Sequence, residues 1–159
     1  MVSKKNPLAP PDDLNPEGLD YDILPELMGF HLRRAQISVF NRFGRVIARD
    51  RVTPGQFGIL VMINANTGLT QSALAKAVGV ERSTMVATID GLEHKGLVER
   101  KPSPVDRRSY ALTLTPAGRT LLTKLKRKVR DQEKRILADF GEAERTQLMT
   151  LLHRIWSAG

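Results

Sequence analysis

Two short stretches of the chain concentrate the side chains best suited to grip a phosphate or a base edge. Arg82-Ser83-Thr84 sets a guanidinium beside two hydroxyls, and Asp106-Arg107-Arg108 sets a carboxylate beside two guanidiniums. A guanidinium can pair both acceptors of a guanine edge, and a hydroxyl can bond a phosphate oxygen or a base. A carboxylate next to two arginines can hold one through a charge-assisted bond while the other enters a minor groove. The residues leave open which arginine does which. Gln71 and Ser72 open the helical stretch before Arg82 and join the same candidate set. A further series, Arg34, Ser38, Arg42, Arg45 and Arg49, recurs at steps of three and four and so shares one side of a helix. Such a stripe suits an acidic ligand, including one that carries phosphates. Solvated surface arginines are the simpler account of it.

The elements that would position these groups follow from spacing. Gln71 to Val78 reads as a short helix, Gly79-Val80 as a turn, and Glu81 to Lys95 as a second helix. Gly96-Leu97-Val98 opens a strand, the Asp-Arg-Arg triplet forms a hairpin tip, and Tyr110 to Leu114 alternates like the returning strand. Two helices across a tight glycine turn are a helix-turn-helix, and the basic hairpin beside them makes it winged. In the second helix, Met85, Val86 and Ile89 are expected to pack inward. Upstream, Leu24, Met28, Ala35, Val39, Phe43 and Val46 predict a long helix over residues 24–49. Thr53-Pro54-Gly55-Gln56 predicts a capped helix start, with Gln56 reaching back as the partner in a capping box. Downstream, Thr115-Pro116 repeats the cap and proline before a long helix that Gly141 would stop. Leu148, Leu151, Leu152, Ile155 and Trp156 mark a last amphipathic helix. The basic run from Lys124 to Arg135 reads as a solvated face.

Composition narrows the partners. At 159 residues with 41% hydrophobic content, the chain can bury one good core. The net charge is +8, yet residues 1–26 sum to −4, which leaves +12 on the rest. So basic a body suggests a polyanion, because neutralising phosphates releases condensed counterions. No stretch approaches the roughly 20 apolar residues of a membrane span, and the charged start lacks the apolar run of a secretory signal. With no cysteine there is no disulfide or thiolate chemistry, and a cytoplasmic protein is the expectation. The organisation expected is a poorly ordered arm over 1–22 and a dimerisation helix over 23–52. A winged helix-turn-helix over 53–116 and dimerisation helices over 117–159 complete it. The fold class is thus mainly α with a small β-wing. The apolar stripes at both chain ends exceed what a lone wing domain needs and point to a homodimer.

The stretch from Leu69-Thr70-Gln71-Ser72-Ala73-Leu74-Ala75 through Val80-Glu81-Arg82-Ser83-Thr84 carries a resemblance. It continues through Ile89-Asp90-Gly91-Leu92-Glu93-His94-Lys95-Gly96-Leu97-Val98-Glu99-Arg100. It ends with Asp106-Arg107-Arg108 and Leu112-Thr113-Leu114-Thr115-Pro116-Ala117-Gly118. The chain resembles the multiple-antibiotic-resistance regulator (MarR) family of bacterial transcription factors. The resemblance implies a homodimer with intertwined terminal helices on a pseudo-palindromic operator, and repression relieved by a small, commonly aromatic ligand. It would put Arg107 at the wing tip, with Arg108 as orienting partner or phosphate clamp. It also implies an effector pocket between the dimer helices and the DNA-binding lobe, with His31, Arg34, Phe57, Met62 and Tyr110 as candidates. An aromatic acid or its coenzyme A thioester would fit both the resemblance and the arginine stripe.

An enzyme reading finds little support. The three histidines, His31, His94 and His153, are far apart and show no metal-ligand spacing. No glycine-rich phosphate loop or nucleophile–base pair stands out, and no cofactor, metal or membrane partner is implied. The alternative to a specific regulator is a non-specific architectural DNA-binding protein. A large affinity ratio over random sequence separates the two.

Overall fold

The computed structural model describes residues 15, 17–102 and 110–158. The expectation of a poorly ordered N-terminal arm therefore lies mostly outside the described residues, as does the Asp106-Arg107-Arg108 tip. The chain divides into two compact units, Met1–Arg42 and Phe43–Gly159.

In the first unit the Asn15 side chain brackets Leu19, accepting from its N–H at 3.0 Å and donating to its carbonyl at 2.9 Å. A 3-10 turn over Leu24–Glu26 precedes helix α1 (Met28–Ile47). The spacing predicted a helix from residue 24 onward; the structure starts it at Met28. Leu27 is extended (φ −93°, ψ 124°) and separates the turn from the helix.

The second unit takes up the end of α1 and then a 3-10 turn over Ala48–Asp50. It continues with α2 (Pro54–Ala65), α3 (Gln71–Val78), α4 (Arg82–His94), β1 (Val98–Pro102), β2 (Tyr110–Leu114), α5 (Pro116–Ile136) and α6 (Glu142–Ser157). The predicted capping box opens α2. Thr53 Oγ1 accepts from the Gln56 N–H and Gln56 Oε1 accepts from the Thr53 N–H, both at 3.2 Å. Its core joins Ile47, Leu60, Leu74, Met85, Ile89, Leu92, Leu112, Leu122 and Leu125, all essentially free of solvent. Each such side chain contributes about 1.5–3 kcal/mol through burial.

The wing strands pair antiparallel from Val98 with Leu114 to Pro102 with Tyr110. The segment before α3 extends this sheet: the Leu112 N–H donates to the Leu69 carbonyl at 2.8 Å, and Thr70 bridges Ala111. The Thr115-Pro116-Ala117-Gly118 start of α5 is fixed from both sides. Thr115 Oγ1 caps the Gly118 N–H at 3.0 Å and donates to the Gly96 carbonyl at 2.6 Å. A Cβ at Gly118 would lie 2.0 Å from the Leu97 carbonyl oxygen, so this closeness demands glycine.

Gly141, read as a helix stop, instead starts the next helix. Helix α5 ends at Ile136, and Gly141 is the N-cap of α6, its N–H held by Glu144 Oε2 at 2.7 Å. Helix α6 buries no residue and leaves Met149, Leu151, Ile155 and Trp156 exposed, the last by 70%.

Candidate nucleic-acid interface

Sequence chemistry first sets the angle between α3 and α4. Gly79 takes the left-handed conformation (φ 71°), which costs a glycine little, and its N–H caps the end of α3. Leu74 and Ala75 of α3 then meet Met85, Ile89 and Leu92 of α4 in the core. That packing leaves Arg82, Ser83 and Thr84 in the exposed first turn of α4. Met85 and Ile89 are buried as expected, but Val86 is 39% exposed, because it falls on the outer side of the helix beside Arg82 and Ser83. Glu81, the N-cap, makes no capping bond with its side chain. The first-turn hydroxyls are therefore accompanied by an unfinished helix start.

The structure brings together several of the expected contact residues. Arg82 Nη2 donates to Ser72 Oγ at 2.9 Å, joining the first turn of α4 to that of α3. Thr84 is exposed yet also lines a cavity of about 200 Å³ with Thr53, Ile59, Val80 and Met85. Gln71 stands at the start of α3, immediately after Thr70, which caps the helix and bridges to β2.

Sequence reasoning assigned no role to Arg100, Asp90 or Glu93, and these form the most connected polar cluster of the interface. Arg100 on β1 donates through Nη1 to Glu93 Oε2, through Nη2 to Asp90 Oδ1 at 2.5 Å, and through Nη2 again to Gln71 Oε1 at 3.1 Å. Its backbone N–H also donates to Glu93 Oε1 at 3.2 Å. Burial works against its charge, but Asp90 and Glu93 outweigh that cost and hold its pKa above the ordinary value. The available signal was two carboxylates three residues apart on one helix, with an arginine in the strand that follows.

The expected effector residues fall in different units. His31 and Arg34 belong to the first; His31 Nε2 donates to the Pro25 carbonyl at 2.7 Å, and its ring meets Phe30 edge-on. Phe57, Met62 and Tyr110 belong to the second. Phe57 and Met62 are half-buried on α2, Phe57 edge-on to Phe43 with ring centroids 5.5 Å apart. Tyr110 is 60% exposed opposite Pro102. The arginine stripe begins in α1, with Arg34 half-buried, and ends in the 3-10 turn at Arg49.

The basic run on α5 is more than a uniformly solvated face. Lys124 and Lys128 bind Asp50 at 2.5 and 2.6 Å, and the Asp50 side chain is only 4% exposed. Hydrogen bonds from the two lysines hold its carboxyl below the ordinary 3.8. Lys126, Arg127, Arg130 and Lys134 instead line an open groove of about 390 Å³ together with Thr123 and Asp131. Among the described residues no cluster of three or more potential metal ligands occurs, and no helix is long and apolar enough to cross a membrane.

A helix pair with an exposed second helix, flanked by a two-stranded hairpin, defines a winged helix-turn-helix regulator fold. Residues 52–110 match the MarR family model. The chain is 45% identical over 130 residues to the putative transcriptional regulatory protein for the hcr operon of Thauera aromatica. That alignment spans 81% of this chain and 78% of the relative. Among solved structures, the transcriptional repressor CouR bound to a 23-mer DNA duplex superposes with a TM-score of 0.81. The two are 39% identical, over 86% of this chain and 97% of that one. CouR bound to p-coumaroyl-CoA superposes at 0.80 with 37% identity, over 86% and 96%. The chain belongs to the MarR family of transcriptional regulators.

Proposed function

We propose that this chain is a homodimeric repressor that holds a pseudo-palindromic operator and releases it when the coenzyme A thioester of an aromatic acid binds. The observation that carries the reading is that one similar protein has been solved both with a DNA duplex and with p-coumaroyl-CoA. The local chemistry agrees with it. Arg82, Ser83 and Thr84 would meet base edges and phosphates in the major groove, with Gln71 and Ser72 on the adjoining backbone. Arg107 or Arg108, oriented by Asp106, would reach the minor groove. His31, Arg34, Phe57, Met62 and Tyr110 are the residues we assign to the effector. The exposed apolar residues of α1 and α6 would be covered by the second copy, setting two α4 helices about one DNA turn apart.

The test is binding to duplex from the chain's own upstream region, against scrambled duplex of equal length, at about physiological salt. A panel of aromatic acids and their coenzyme A thioesters follows. Sequence-dependent binding relieved by a thioester is the expected result. Equal affinity for both duplexes, indifferent to every compound, would replace this reading with an architectural DNA-binding protein.

A further inference from the structure

We infer that Arg100 is a positioning residue for DNA contact, and that it acts by turning the Gln71 carboxamide so that its –NH2 group, not its oxygen, faces a DNA phosphate. The inference rests on the DNA-binding reading above. It starts from the allocation of donors on one guanidinium. Both protons of Arg100 Nη2 are committed, one to Asp90 Oδ1 at 2.5 Å and one to Gln71 Oε1 at 3.1 Å, while Nη1 is taken by Glu93. Arginine has no acceptor, so the amide atom it holds can only be oxygen. The Gln71 amide orientation, often ambiguous from geometry alone, is thereby set. Its Nε2 –NH2 donors are left facing away from Arg100 with no protein partner among the described residues, and phosphate oxygens accept but never donate.

The same residue controls where Gln71 stands. Arg100 lies on β1 opposite Leu112, and Leu112 in turn holds the Leu69 carbonyl through its N–H. Thr70 bridges Ala111 and caps α3, so Gln71 leaves the sheet edge at a fixed point. Asp90 and Glu93 draw the guanidinium to α4. A single planar fork therefore ties the wing strand, the recognition helix and the start of α3 into one unit. It also offsets two carboxylates that would repel an approaching phosphate backbone. Lysine cannot reproduce this, since its three donors radiate from one nitrogen and lack the planar fork.

The experiment is a double-mutant cycle with the full chain, read by fluorescence anisotropy on upstream-region and scrambled duplexes, alongside thermal unfolding. Gln71→Ala should weaken binding to both duplexes by a similar factor of about 5–10, roughly one net hydrogen bond to a sequence-independent group. Gln71→Glu keeps an acceptor for Arg100, so it should melt no lower than wild type yet bind at least as weakly as Gln71→Ala. Arg100→Lys should weaken binding in the wild-type background and clearly less in the Gln71→Ala background. Wild-type affinity in Gln71→Ala or Gln71→Glu, or strictly additive effects of Arg100→Lys and Gln71→Ala, would overturn the inference while leaving the DNA-binding reading intact. Failure of the wild-type chain to bind either duplex would overturn both.

Discussion

At Gly118 two opposing residue effects can be compared directly. Alanine in a helix is favoured over glycine by about 1 kcal/mol, but here its methyl would sit 2.0 Å from a backbone oxygen that the Gly96–Leu97 turn holds in place. Overpacking of this kind costs about 1–3 kcal/mol or more, so the clash should win. Gly118→Ala is expected to lower the denaturant midpoint, and an unchanged or raised midpoint would show that the α5 start can shift. Asp50 offers a second case. Its folded pKa lies below the ordinary 3.8, so the stability it contributes is complete above that value and is lost as pH falls below it. Asp50→Asn should cost about 1–3 kcal/mol near neutral pH, toward the lower end because Lys124 is half-exposed. The gap between variant and wild type should narrow as pH falls below 3.8 in urea titrations. A gap independent of pH would mean that the Lys124 and Lys128 contacts contribute nothing.

Among the described elements of the helix-turn-helix, α4 starts without a side-chain cap. Glu81 has extended N-cap geometry but no capping bond, whereas Thr53, Thr70 and Thr115 cap α2, α3 and α5. Replacing Glu81 with Ser should stabilise the domain by about 0.5–1 kcal/mol and tighten DNA binding, because it completes the cap and removes a negative charge beside Arg82. Calorimetry and anisotropy check the two effects separately; weaker DNA binding by Glu81→Ser would assign Glu81 itself a contact role. The wing behaves differently as an element. Its two strands alone would be marginal, and they stand because Leu69 and Thr70 extend the sheet while Val98, Leu112 and Leu114 enter the core.

For the whole molecule the decisive surface is the apolar one that the single chain leaves open. Helix α6 has no buried residue, and Trp156 and Ile155 sit on it beside exposed Leu151. If a second copy covers this surface, sedimentation of the wild-type chain should give twice 17.7 kDa. Ile155→Glu combined with Trp156→Glu should then shift the mass toward a single chain and abolish tight operator binding. A wild-type chain that sediments as a monomer at micromolar concentration would remove the two-fold arrangement from the proposed function.

What the amino-acid sequence determined by itself was the order and nature of the elements, because that information is local. Thr53-Pro54-Gly55-Gln56 and Thr115-Pro116 are complete helix starts, Gly79 is a complete turn, and the alternation of Tyr110 to Leu114 is a complete strand signal. It also told Arg82, Ser83 and Thr84 apart from Met85 and Ile89 by period alone. Where two elements compete for one residue, period was insufficient: Val86 lies outside the core and Gly141 begins a helix instead of ending one. Tertiary structure alone decided which charges meet. Arg100 finds Gln71, Asp90 and Glu93 on two other elements, and Asp50 selects Lys124 and Lys128 from a run of similar cations. Hydrophobic periodicity records only which way a side chain faces, whereas an ion pair depends on the distance between segments that the core has first brought together.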